Sequence, residues 1–389
     1  MLSELASLSI ALVKPAEAIK WLERARAGNP RDLRSRVRLV PLYLAARQAE
    51  DALSAASEAH ELAPKRPVVL MALARAHGAA GSLQAAIETA RTLVQVAPTS
   101  PRAQVFLGSF LARANDIAGA ARAAHAALKH EPRQRRALVL LGQLALKEGD
   151  VHKALQHAQT LATTHPDAPA GAALEGAAWR RGGDPAKALA AFRRAQALRP
   201  SGTYVIAIAH ELRALGRDGE AQDQLSRWLA SRPDDASVRQ ALAMTDQHAG
   251  DEREAAAGYE ALLARGVRSV VAMNNLAWIY APQAPKRALE LAEDARALAP
   301  DHPAVLDTLG WMYFLNGQHE RAIAALERSL DRRPEVPEHE YHLAAALGAI
   351  GEVDRAISLL THALARDEPQ WTTRSDAEAL LAQFKRYKK

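Results

Sequence analysis

The sequence predicts an all-α solenoid of about eleven stacked helix–turn–helix units closed by a C-terminal capping helix. Three observations carry this. Pro30, Pro64, Pro98, Pro132, Pro166 and Pro200 recur every 34 residues, and Pro300 and Pro334 repeat the interval. A fixed period of that length is the signature of helical-hairpin repeats. Hydrophobic residues make up 49% of the 389 residues but aromatics only 5%, an Ala- and Leu-rich balance suited to closely packed helices. Within the better units, small residues return where two helices must approach and large ones where space must be filled.

The unit starting at Pro303 shows the pattern most fully, with Leu306, Leu309-Gly310, Tyr313, Ala322, Leu326, Ser329 and Pro334. Leu107-Gly108, Leu111, Ala120, Ala124, Ala127 and Pro132 repeat it, as do Leu138, Leu141-Gly142, Ala154, Ala158 and Pro166. Gly176, Trp179, Ala188, Phe192, Ala195 and Pro200 follow. Gly81-Ser82, Gly149-Asp150 and Gly317-Gln318 pair a helix stop with a helix start. The recurrent proline ends each second helix because it cannot continue the hydrogen-bond ladder. These residues resemble the tetratricopeptide repeat family, which implies a right-handed superhelix with each unit's first helix lining a concave face.

Weaker units slip in register. One ends at Pro233, the next near Gly266-Val267, and the ninth, Val270 to Pro300, has a short turn around Pro282 and Pro285. The eleventh ends at Asp367-Glu368-Pro369, and Thr372 to Tyr387 reads as a lone capping helix with Ser375 or Thr373 as N-cap. Pro41 falls inside a first helix, where proline costs about 3 kcal/mol, so a kink or a late helix start is expected there. The expected organisation is one continuous solenoid. It comprises a basic array over 1–200 (about six units), a second over 201–371 (about five), and a cap with a basic tail over 372–389.

Charge divides along the same lines. Residues 1–200 hold 28 Lys/Arg against 16 Asp/Glu, and residues 201–389 hold 22 against 28, so a net charge of +6 conceals a basic half and an acidic half. There is no cysteine, which excludes disulfides, Cys-based zinc sites and thiol catalysis. No apolar run reaches the ~18–20 residues of a membrane span. Met1 to Val13 has no basic start and carries Glu4, so it reads as the first helix of a repeat rather than a signal peptide. An array that starts without a polar cap either has an atypical first helix or has been cut from a longer protein, and the second is expected.

In the resembled family, specific first-helix positions point into the groove. In the N-terminal half these positions hold Arg34, Arg75, Arg102, Arg136, Arg180 and Arg213, with His210. In the C-terminal half they hold Trp278, Trp311, Phe314 and Tyr341, with Asn274, Asp307 and Glu338 nearby. Arginines suit carboxylates, phosphates or acidic peptides through forked hydrogen bonds. Aromatics beside Asn and Asp suit sugar rings, proline-rich segments or apolar anchors. The competing structural readings are ordinary solvation for the arginines, and packing on the neighbouring helix for Trp278 and Trp311.

No phosphate loop, nucleophile elbow or acid/base pair survives placement on the repeats, so the chain is expected to be no enzyme and to need no cofactor. His339 and His342, beside Glu338 and Glu340, read as a solvated helix start rather than a metal site. The inward positions lack the recurring polar code of helical-repeat RNA readers, which argues against nucleic acid. A protein or peptide partner is expected, with an acidic polysaccharide as the alternative, or a role as accessory subunit positioning an enzyme.

The stretch Asn274–Ala365 carries a narrower likeness, through Asn274-Asn275-Leu276-Ala277-Trp278, Arg287 to Glu293 and Ala299 to Trp311. It is similar to bacterial repeat lipoproteins that accompany exosortase (PEP-CTERM) sorting and exopolysaccharide clusters. That resemblance implies a periplasmic or outer-membrane-associated scaffold if the chain is a truncated piece, and a cytoplasmic one if Met1 is the true start. The signal and lipid-accepting cysteine of those proteins are missing here.

Overall fold

The computed structural model of the chain describes residues 4–7, 14–366 and 371–387. Among these, every regular element is a helix. Most of Met1 to Val13 and all of Asp367-Glu368-Pro369 lie outside the described residues. The chain divides into two compact units, Met1–Tyr204 and Val205–Lys389.

In the first unit, Pro15–Gly28 precedes five helix pairs: Leu33–Ala45 with Ala49–Leu62, Pro67–Ala79 with Leu83–Val96, Pro101–Arg113 with Ile117–His130, Arg135–Glu148 with Val151–Thr164, and Ala170–Arg181 with Pro185–Leu198. Each helix packs on its hairpin partner, and successive pairs stack, with Pro101–Arg113 also touching Arg135–Glu148. The periodic prolines have a constant place. Leu62, Val96, His130, Thr164 and Leu198 each end a helix two residues before one.

The small positions are where the helices meet. Ala86, Ala90, Ala120, Ala124, Ala127, Ala154, Ala188 and Ala195 are fully buried. A Cβ on Gly108 would stand 2.8 Å from Leu140 and 3.2 Å from the Ala120 carbonyl, and one on Gly176 would stand 2.8 Å from the Phe192 ring. Contacts this close leave no room for a methyl group. Within the hairpins, Gly149 turns the chain at φ +81, a conformation glycine adopts without cost. Asp116, Asp150 and Asp184 then cap the second helices by accepting from the backbone N–H three residues on. Arg47 occupies a corresponding turn at φ 60.

At Pro41 the structure overturns one of the two expectations, a late helix start. The helix begins at Leu33, capped by Asp32, and runs through Pro41 to Ala45. There is no late start. Buried Leu39, Val40 and Tyr43 hold that turn in place despite the missing N–H.

In the second unit, the helix Asp218–Ser231 is followed by the pairs Ala236–Ala249 with Glu252–Ala264, Val270–Tyr280 with Pro285–Leu298, Pro303–Leu315 with His319–Arg332, and Pro337–Ala349 with Val353–Leu364. One core runs through it from Ala243 to Phe384. The terminal helix spans Arg374–Tyr387, so of the two expected caps Thr373 holds the position before it. That helix is not a lone one. Ala377 and Phe384 are buried, and the Phe384 ring occupies the space a side chain on Gly348 would need.

Candidate functional site

Three first helices of the first unit, Pro67–Ala79, Pro101–Arg113 and Arg135–Glu148, bring Arg75, Arg102 and Arg136 to one cleft of about 630 Å³. Met71, Val105 and Phe106 supply apolar lining, and Arg133 and Arg135 add two further guanidiniums. Arg75 lies over the Phe106 ring at 5.5 Å, and Phe106 in turn meets Phe110 edge-on at 5.1 Å. Gln134 is buried and accepts from the Arg136 backbone N–H at 2.8 Å, which fixes the start of its helix. His165 Nε2 sits 2.7 Å from the Arg133 carbonyl. Arg75, Arg102, Arg135 and Arg136 are exposed, and none of the five arginines forms an ion pair among the described residues. Glu131 is the one carboxylate in the lining.

The other arginines of the expected series stand apart. Arg34 is exposed and does not line this cleft. Arg180 lies over Phe192 at 4.8 Å. In the second unit Arg213 is partly buried, with Nε 3.9 Å from Asp218 Oδ1. His210 is exposed and places Nδ1 3.1 Å from buried Glu211.

The expected aromatics of the second unit do come together. Trp311 stacks on Phe314 (centroids 4.8 Å, 23° between planes) and lies 5.9 Å from Tyr341. His342 binds them from within. Its ring is 4.4 Å from Trp311, 5.6 Å from Trp278 and 5.5 Å from Tyr341. Trp278 donates its indole N–H to Thr308 Oγ1 at 2.9 Å. All four expected aromatics are half-buried, so they pack on neighbouring helices and still present an edge to solvent. Asn274 is half-buried, and its buried Oδ1 accepts no hydrogen bond.

Asp307 requires a correction. Expected beside the groove, it is buried and spent internally. Its Oδ1 accepts from His342 Nδ1 at 2.9 Å, and its Oδ2 lies 3.8 Å from His339 Nε2. Ser329 Oγ donates to the Pro303 carbonyl at 2.8 Å, so with its single hydrogen used it accepts from His339 Nδ1 at 2.9 Å. Burial pushes His339 below the ordinary histidine range, opposed by the Asp307 charge. The histidines are thus core members rather than a solvated helix start. Burial also raises the Glu338 carboxyl, with Asp307 adding to the effect.

Among the described residues no group of three or more His, Cys, Asp or Glu side chains is placed to hold a metal ion, and no helix is long and apolar enough to cross a membrane.

Stacked helical hairpins with small residues at the crossings and side-chain-rich first helices define a helical-repeat scaffold. The sequence matches the tetratricopeptide repeat over residues 43–108, 107–169, 139–203, 283–337 and 308–370, and the chain belongs to that family. Over 131 residues it is 28% identical to a TPR repeat-containing protein of Pseudomonas aeruginosa. The match covers 33% of this chain and 21% of that protein, so the chain spans about a fifth of its relative's length. Two crystal structures share the fold at 14% identity. One is the APC/C hetero-tetramer Cut9–Hcn1, with TM-score 0.54 over 98% of this chain and 95% of that one. The other is yeast Tom70, with TM-score 0.51 over 100% and 95%. The fold is consistent with a protein-interaction scaffold, and none of these matches indicates an enzymatic family.

Proposed function

We propose that the chain is a non-enzymatic scaffold that holds an extended, acidic segment of a partner protein against the first helices of its N-terminal unit. The single observation behind this is the cleft at Arg75, Arg102 and Arg136. Five guanidiniums converge there without a carboxylate partner, above an apolar floor. Elsewhere the chain pairs its arginines readily, as in Arg26 and Arg36 on Glu58 or Arg328 and Arg332 on Asp301. A segment with Asp or Glu flanking an apolar side chain would meet both features of the cleft. Each charge-assisted bond would contribute about 1.5–3 kcal/mol before ordering costs.

A bacterial envelope assembly is the setting proposed for this scaffold, and the likeness of Asn274–Ala365 to repeat lipoproteins of sorting and exopolysaccharide systems supports it. An acidic polysaccharide is the competing ligand for the same arginines.

The test is fluorescence anisotropy of the full chain with a labelled Glu/Asp-rich peptide carrying one Leu or Phe. Arg102→Ala combined with Arg136→Ala should weaken binding at least about tenfold, and raised salt should weaken it further. Equal affinity in parent and double variant would remove the cleft as the site. Tighter binding of a uronic-acid polymer than of the peptide would favour the polysaccharide.

A further inference from the structure

Six tryptophans occur in the chain, and four carry a cation of their own. Trp21 lies under Arg24, Trp179 under Lys187, Trp228 under Arg232 and Trp371 under Arg374, at 4.0–5.8 Å. Among the described residues Trp278 and Trp311 have no Lys or Arg over them, and neither do Phe314 and Tyr341, which share their cluster. The largest group of contacting rings among the described residues, which includes the His342 and His319 imidazoles, is therefore the one left without a lysine or arginine.

The carboxylates around it point the same way. Glu338 and Glu340 share the first turn of Pro337–Ala349. Glu340 is buried and engaged by Arg366 and by His362 Nδ1 at 3.1 Å. Glu338 is half-buried but forms no hydrogen bond or ion pair among the described residues. It precedes Tyr341 by three residues and His342 by four, the spacings that put side chains on one helix face. His342, which lies against Trp311, acts on Glu338 against the effect of burial and favours its charged form. Asp376, on the terminal helix, is exposed and forms no hydrogen bond or ion pair among the described residues, and its charge adds to the burial that raises the Tyr341 phenol.

We infer that the Trp311–Phe314–Tyr341 shelf, flanked by Glu338 and Asp376, is a docking site for a cationic side chain, a lysine or arginine of a partner segment. The exposed part of the rings supplies the quadrupole that attracts a cation, and the two carboxylates supply the opposite charge. A half-buried carboxylate without a partner is costly, and an arriving ammonium or guanidinium relieves that cost. This site is independent of the arginine cleft and selects the opposite charge.

The probe is a short labelled peptide alternating lysine and glycine, titrated into the full chain, beside the same peptide with every lysine acetylated. The lysine peptide should bind, perturb the tryptophan fluorescence, and weaken as salt is raised. Glu338→Gln combined with Asp376→Asn should weaken it about tenfold. Arg102→Ala with Arg136→Ala should leave it unweakened. Phe314→Leu is a second variant that removes a ring and no charge, and it should weaken binding as well. Circular dichroism checks that each variant keeps its helices. Equal binding of the acetylated peptide, or an unchanged affinity in both folded variants, would overturn the assignment.

Discussion

His342 Nδ1 donates to Asp307 Oδ1 at 2.9 Å, and the two residues, 2% and 5% exposed, join the first helices of successive repeats. The bond has a structural consequence beyond its own strength. It orients the imidazole that Trp278 and Trp311 pack against.

Replacing Asp307 by Ala should therefore destabilise the second unit by about 1–3 kcal/mol, the usual cost of stranding a buried polar partner. Repeat arrays do not unfold as a single step, so the readout is hydrogen exchange of the helices Pro303–Leu315 and Pro337–Ala349. Protection should fall there first. Unchanged protection would show that His342 is held by its ring contacts alone.

Acid should loosen the same region. Burial holds the native pKa of His339 below its ordinary value, with His342 and Arg333 acting in the same direction and Asp307 against it. Above about pH 6.5 neither the folded nor the unfolded state binds a proton at this site, and its stability is fully present. As pH falls below that value the unfolded chain takes the proton first, and stability is lost until the native pKa is passed. His77 and His157 in the first unit are depressed by burial too, so the measurement has to be local to residues 303–349. Exchange protection there should decline as pH falls below about 6.5, and His339→Gln should flatten the decline. Glu338 has the opposite sign, since its carboxyl is raised and its burden lightens on acidification, which restricts the range to above its titration.

Glu58 receives Arg36 Nε at 2.9 Å and also binds Arg26. Arg36 is buried, with Nη1 on the Asp32 carbonyl at 3.1 Å. Despite burial, these guanidiniums hold the Glu58 carboxyl below its ordinary range. Glu58→Ala leaves a buried charge without its counterion and should cost about 2–3 kcal/mol, less than a fully buried pair because Glu58 keeps some solvent. Hydrogen exchange of the helices Leu33–Ala45 and Ala49–Leu62 measures it. A loss within ~0.5 kcal/mol would mean that the backbone carbonyls alone satisfy Arg36.

Two glycines separate packing from chain entropy. A Cβ at Gly171 would stand 2.8 Å from the Ala162 backbone nitrogen and 3.0 Å from the Ala158 carbonyl, neither of which can rotate away. Gly171→Ala should destabilise by about 1–3 kcal/mol. Gly219 lies in the helix Asp218–Ser231 with nothing within 4 Å of such a Cβ. Gly219→Ala should stabilise by about 0.4–1 kcal/mol. Thermal melts of the two variants should move in opposite directions.

The candidate sites were partly legible beforehand. Arg75, Arg102 and Arg136 followed from the repeat register, as did the Trp278, Trp311, Phe314 and Tyr341 group. Arg133 precedes its helix and Arg135 opens it, where a register of helical faces assigns no direction. Phe106 carried no assigned role and His342 read as part of a solvated helix start, yet each became a centre of its site through contacts with neighbouring residues. Asp307 was misplaced because its partner arrives from the next repeat, 35 residues on.

The sequence alone determined the helical hairpins, their length and their small-residue crossings, because proline, glycine and alanine act through local backbone geometry and steric size. The tertiary structure decided which charges are spent and which are left over. Glu340 is consumed by Arg366 while Glu338 two residues earlier is free, and Asp307 is buried while the arginines of the cleft stay unpaired. Pairing depends on what the adjoining repeat places within hydrogen-bond reach, and a periodic pattern carries no record of that distance.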